Sequence, residues 1–215
     1  RLWNASDADY ASFADGDYVR VEGHTQLFSG AMQIIISSIE RADPGMVDER
    51  EFRVLSQNDI EHLFAELRGL LAGLRPPLNA LVAAILDDEP LMAAVARTPA
   101  GVKHHHAYAG GLLDHVVNLM RLADLVAPLY PDMDRELLLV GVLVHDIGKT
   151  IELESEKGFS YTDPGQLLGH VLLGLEIVDA KIREVEARTG TPFDAETAMR
   201  VKHMIASHHG SYEFG

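Results

Sequence analysis

The stretch RELLLVGVLVHDIGKT, residues 135–150, limits most severely what this chain can fold into. Residues 136–144 are apolar almost without interruption, so a helix here reads as buried and needs other elements around it. His145 and Asp146 stand at its end, with Lys149 three residues beyond. A buried carboxylate without a partner is costly enough that such groups are normally paired or metal-bound. Two readings follow. Either the helix surfaces at His145 and leaves Asp146 in water, or it delivers two metal ligands into a cleft.

The flanking patterns supply the surrounding elements. Ser56 is a candidate N-cap with Asp59 at the capping-box position, and Ile60, Leu63, Phe64, Leu67, Leu70 and Leu71 recur at helical spacing. Pro76 and Pro77 end that pattern, after which NALVAAILDD and EPLMAAVART predict two short helices. A long helix is expected over 107–129, with Leu112, His115, Val116, Leu119, Leu122 and Val126 on one broad side. PGQLLGHVLLGLEIVDAKIREVEARTG predicts another, with Asp163 as cap and Pro164 at its first position. Asp194 is expected to cap AETAMRVKHMIASHHG. No strand signal interrupts these segments after residue 55, so the fold class is mainly α, a helical bundle.

Upstream, YVRVEGHT (18–25) and AMQIIISSI (31–39) read as strands joined by the turn LFSG, a hairpin or the later strands of a small β-domain. DADYASFADGD before them reads as a short helical turn or loop. A two-stranded unit is marginal by itself, which makes this a partial β segment. The expected organisation is a β segment over 1–45, a helical connector and the start of the helical domain over 46–103, and the main helical domain over 104–215. The chain opens without an initiator Met and stops just after its densest histidine cluster. It is therefore expected to be a piece of a longer protein, its last domain cut short at the C-terminal end.

Composition narrows the function classes. Eighteen basic against 33 acidic residues leave a net charge of −15, which argues against a broad basic footprint for duplex nucleic acid. A bound divalent cation can still dominate the field locally. There is no cysteine, which excludes disulfides, thiolate metal sites and cysteine nucleophiles. No segment reaches the roughly 18 apolar residues of a membrane span and no signal-peptide pattern is present, so a cytoplasmic location and no membrane partner are expected. Oligomeric state is left open.

Nine of the eleven histidines lie between His104 and His209. Singly, each has an ordinary reading: His115 and His170 fit core histidines as well as ligands, and His203 is out of helical phase with His208. His104–His106 form either a solvated helix entrance or a cleft mouth at which His105 and His106 meet substrate phosphate. Trp3, Tyr18 and Phe28 are core residues or platforms on which bases stack. Collectively, four helices each present an imidazole where apolar sequence turns polar: His115, His145, His170 and the pair His208–His209. Asp146 adds a carboxylate. Such a set suits two adjacent metal ions bridged by Asp146, the arrangement that activates a water and holds both oxygens of an in-line phosphoryl displacement. Gly148 then reads as a tight helix exit and Lys149 as a cation beside the phosphate. No Walker loop, dinucleotide fingerprint or anchored serine triad competes.

The motifs GGLLDHVV, LVHDIGK, LLGHVLLG and ASHHG resemble those of the HD-domain metal-dependent phosphohydrolases, as the ordered set His…His-Asp…His…His-His. More narrowly, KHHHAYAGGLLDHVV, LVHDIGKTIEL and YTDPGQLLGHVLLG resemble the bacterial YhaM-like 3′→5′ exoribonucleases, in which an OB-fold domain precedes the HD domain. Residues 1–42 are similar to the later part of that OB-fold. The resemblance implies hydrolysis of single-stranded RNA, and of DNA, from the 3′ end with release of 5′ mononucleotides. It implies divalent metal, two ions, with Mn²⁺ foremost and Mg²⁺, Fe²⁺ or Ni²⁺ as alternatives. By the same carry-over His115, His145 and Asp146 serve one ion and His170, His208 and His209 the other, with Asp146 shared. The family pattern has a later aspartate ligand that no residue here supplies. Two other readings share the histidine set: a phosphohydrolase of small or cyclic nucleotides, and a catalytically silent HD-type binding module.

Overall fold

The computed structural model describes residues 2–3, 5–14, 17–28, 31–47, 55–101, 108–154 and 160–210. It divides into an N-terminal unit and a larger helical unit, with the division falling just before residue 53.

The N-terminal unit opens with a short helix, α1 (Asp7–Ala11), closed by a capping box in which Ser6 and Asp9 satisfy each other's backbone N–H groups. Strands β1 (Val19–Phe28) and β2 (Ala31–Arg41) pair antiparallel, with a register shift between Glu22 and Gly23. Leu27 and Phe28 were expected in the turn, but they continue β1 opposite Met32 and Ala31. Trp3 and Phe28 are exposed, and a 3₁₀ turn at Pro44–Met46 follows the hairpin.

The helical unit contains α2 (Gln57–Leu70), α3 (Leu78–Leu86), α4 (Glu89–Val95), α5 (Gly111–Val126), α6 (Arg135–Val144), α7 (Lys149–Glu152), α8 (Asp163–Thr189) and α9 (Ala195–Ser207). The Ser56–Asp59 capping box starts α2 as the sequence predicts. α5 starts later than expected, because Gly110 adopts a left-handed conformation (φ 83°) immediately before it. Past Val126 a 3₁₀ turn at Ala127–Leu129 takes over, in keeping with Pro128, which has no N–H for the helical ladder. α8 is capped by Thr162, whose side chain accepts from the Gly165 N–H; Asp163, expected as the cap, lies inside the helix. Contrary to the all-helical expectation, two-residue strands β3 (Leu153–Glu154) and β4 (Ser160–Tyr161) pair between α7 and α8.

α6 carries the centre of this unit. Leu139 through Val144 are all buried, and the core around them includes Leu67, Leu81, Ile85, Leu112, Leu113, Met120 and Ile205, all shielded from solvent. Each such side chain contributes roughly 1.5–3 kcal/mol by leaving water. A helix this enclosed has one route for its polar C-terminal residues, which is into a space between its neighbours. Among the described residues no helix is long and apolar enough to cross a membrane.

Candidate metal centre

α6 ends at Val144, and His145 and Asp146 follow with only 8% and 4% of their surface exposed. The reading in which Asp146 surfaces into water is therefore excluded. His115 arrives from α5, His170 from α8, and His208 and His209 from the end of α9. The ligand atoms of His115, His145 and Asp146 lie within 4.8 Å of one another, and so do those of His170, His208 and His209.

Asp146 stands between the two groups and divides its oxygens between them. Oδ2 is 3.3 Å from His145 Nε2 and 3.7 Å from His115 Nε2. Oδ1 is 3.5 Å from His170 Nε2 and 3.6 Å from His208 Nε2. Within the groups, His115 and His145 approach Nε2 to Nε2 at 3.3 Å, and His170 and His209 at 3.2 Å. Ligands about 2.1 Å from a shared ion sit roughly 3.0–3.4 Å apart, so these spacings suit a cation on each side of the carboxylate.

The far nitrogens fix the tautomers. His145 Nδ1 donates to the Val142 carbonyl at 2.8 Å, and His208 Nδ1 to the Ile205 carbonyl at 2.7 Å. His170 Nδ1 donates to Glu152 Oε1 at 3.0 Å. Since a carbonyl or carboxylate only accepts, each neutral ring keeps its lone pair on Nε2, aimed at the cluster. This is the outer-shell arrangement usual for metal-ligating histidine.

Charge within the cluster follows from the same contacts. Burial would raise the Asp146 carboxyl, but hydrogen bonding to His145 and His208, with the charge of Lys149, outweighs burial and holds it well below the usual carboxylate range. The bond to Asp146 raises His208 against the opposing effect of burial. His209 is lowered, first by burial and then by the charges of His208 and His170. Metal binding requires deprotonated ligands and so competes with protons for imidazole and carboxylate. The donor set thus fits divalent metal.

Two backbone features hold the set together. Gly148 has ordinary helical angles (φ −65°, ψ −17°), so it is not glycine for conformational freedom. A Cβ there would meet the His170 carbonyl oxygen at 2.0 Å and the Gly174 N at 2.5 Å; the absent side chain lets the turn after Asp146 lie against α8. Gly169 (φ 71°, ψ 161°) breaks α8 just before His170. The break turns the His170 N–H toward Glu152 Oε1, at 3.0 Å.

Glu152 was not singled out in the sequence. Its signal was present, a carboxylate between Ile151 and Leu153 six residues after Asp146, but its partner is 18 positions away. Lys149 donates to Asp146 Oδ2 at 2.8 Å and to the Ala100 carbonyl at 2.6 Å. The cluster opens into a cleft of about 500 Å³ whose wall includes His115, Leu119, Val142, Lys149, Met204 and His209. His203 is exposed and outside the cluster. His105 and His106 lie outside the described residues.

A family model described as HD domain matches residues 112–214, which span all six clustered residues. Curated relatives match over the full length of this chain. The 3′-5′ exoribonuclease YhaM of Listeria innocua serovar 6a is 32% identical, with 100% of this chain and 67% of the relative covered. The protein of that name from Listeria monocytogenes serotype 4b (strain CLIP80459) is 33% identical with the same coverage, and that from Bacillus subtilis (strain 168) is 29% identical, again over 100% and 67%. No solved structure matches the chain. Histidine order, cluster geometry and whole-length similarity agree, and the chain belongs to the HD-domain family that includes the YhaM 3′-5′ exoribonucleases.

Proposed function

We propose that the chain is a metal-dependent 3′→5′ exoribonuclease acting on single-stranded RNA, with DNA as a further substrate. The observation that carries this reading is the division of Asp146, whose two oxygens face two separate sets of imidazole nitrogens. His115, His145 and Asp146 would hold one ion, and His170, His208 and His209 the other, with Asp146 shared. Mn²⁺ is the expected metal and two the expected number. When bound, such a pair supplies an activated water and neutralises charge on the scissile phosphate.

The protein's own groups set the rest. Asp146, held ionised, keeps the two halves of the centre at fixed separation. Lys149 places a positive charge on the cleft wall beside Asp146, where the phosphate of the 3′-terminal nucleotide lies in this reading. Leu119, Val142 and Met204 give that wall an apolar portion, suited to the face of a base or ribose. Water adds to phosphorus, the bond to the O3′ of the preceding nucleotide breaks, and a nucleoside 5′-monophosphate leaves. His105 and His106 belong to this reading as contacts at the cleft mouth, and the cytoplasm, where RNA is turned over, is the compartment.

The test uses the full-length protein with Mn²⁺ and 5′-end-labelled single-stranded RNA. A ladder that shortens from the 3′ end supports the reading. Metal-loaded protein that leaves RNA intact but hydrolyses free or cyclic nucleotides overturns it in favour of a small-nucleotide phosphohydrolase. Protein that binds metal and hydrolyses neither is a binding module.

A further inference from the structure

The two halves of the centre differ in their imidazoles, three against two, and in what stands behind them. In the half that contains His170, the ring's Nδ1–H goes to a carboxylate, Glu152, rather than to a carbonyl. Glu152 is 7% exposed and accepts the His170 backbone N–H as well. Both bonds come to the same carboxylate oxygen, Oε1. An imidazole whose outer nitrogen donates to a carboxylate is a more basic ligand through the inner one, and the nearby negative charge also favours a cation there.

In the other half a lysine meets the shared carboxylate. Asp146 Oδ2, the oxygen that faces His115 and His145, also accepts from Lys149 Nζ at 2.8 Å. A cation on that side shares its carboxylate oxygen with a lysine and meets the lysine's charge at close range. Its ring His145 donates to the neutral Val142 carbonyl.

We propose that the centre loads in a fixed order: the His170–His208–His209 half binds its ion first and more tightly because Glu152 backs it, and the His115–His145 half second because Lys149 opposes it. Glu152 is then a positioning residue that acts through His170. The inference rests on the two-metal reading above and adds the order and its cause.

The experiment is a Mn²⁺ titration of the metal-stripped full chain, with free Mn²⁺ followed by its electron paramagnetic resonance signal. The parent is expected to show a tight and a weak phase. His209→Ala should remove the tight phase, and His115→Ala the weak one. Glu152→Gln, which keeps shape but not charge, should weaken the tight phase about 10–100-fold, the usual consequence of losing an outer-shell partner, and leave the weak phase in place. A tight phase that survives His209→Ala overturns the proposal, as does Glu152→Gln moving neither phase or both equally. If Glu152→Gln does not fold by circular dichroism, the two alanine variants still decide the order. A parent that binds no Mn²⁺ overturns the two-metal reading itself, and two equal phases indifferent to Glu152 overturn only the order.

Discussion

Gly148 approaches α8 so closely that a Cβ on it would lie 2.0 Å from the His170 carbonyl oxygen. The contact joins the turn carrying Asp146 to the helix carrying His170, the two residues that meet across the carboxylate's Oδ1. Overpacking at such a point costs about 1–3 kcal/mol. Gly148→Ala should therefore lower the melting temperature and also weaken metal binding, because relief requires the turn and α8 to part. Gly69→Ala is the control: nothing lies within 4 Å of a Cβ at that helical position, and alanine is the better helix former by up to about 1 kcal/mol. Thermal melts and metal content of both variants check the contrast, and equal behaviour would refute it.

Asp146→Asn keeps the shape of the central residue and removes its charge. Lys149 and four imidazoles lose the anion they face. The expected loss of Mn²⁺-dependent phosphodiester hydrolysis exceeds the roughly 100-fold that removal of an outer-shell partner causes. After treatment with a chelator, added Mn²⁺ should restore activity to the parent and not to the variant. Elemental analysis of the reloaded proteins reads the cause directly, and a variant that retains both metal and activity rules out Asp146 as the bridge.

Gly169 holds φ 71° and ψ 161°, a combination open in practice to glycine alone, so another residue there costs about 1–3 kcal/mol of strain. Gly169→Ala is expected to regularise α8 and turn the His170 N–H away from Glu152. Metal affinity should then fall as in Glu152→Gln, accompanied by a loss of thermal stability. Affinity that stays at the parent's value while stability drops would make the break merely structural.

The elements read from the sequence were those whose cause is local. Ser56 with Asp59, the apolar run over 136–144 and the prolines at 76 and 77 each act within one or two helical turns, and the observed elements follow them. The cluster was legible because histidine at an apolar-to-polar transition is rare enough to count without knowing the fold. What escaped depends on distant partners. Glu152 looks like an ordinary carboxylate until α8 brings His170 back to it, and Gly148 looks like a turn glycine although its angles are helical. The boundary of α8 was misplaced by one residue because Asp163 and Thr162 are both good caps, and only the Thr162 side chain is oriented toward the Gly165 N–H.

Away from the centre, Lys181 on α8 is buried and bonded to Asp88 at 2.7 Å and Glu184 at 2.8 Å. Asp88 also caps α4 through the Leu91 N–H, so the lysine ties α4 to α8. Lys181→Met retains most of the aliphatic stem and should cost about 1.5–3 kcal/mol at neutral pH, the range for hydrogen bonds to charged groups. The hydrogen bond from Lys181, then that from the Leu91 N–H, lowers Asp88. That contribution is present above the unfolded carboxylate value of about 3.9 and is lost as pH falls through the lower folded value. Burial would lower Lys181, yet its bonds to Asp88 and Glu184 raise it. Its contribution is complete below the unfolded lysine value of about 10.4 and disappears as pH rises through the higher folded value. The gap in melting temperature between parent and Lys181→Met should therefore be widest and flat from about pH 5 to 10 and narrow on either side. A gap unchanged at pH 3 would assign the effect of the substitution to packing instead of charge.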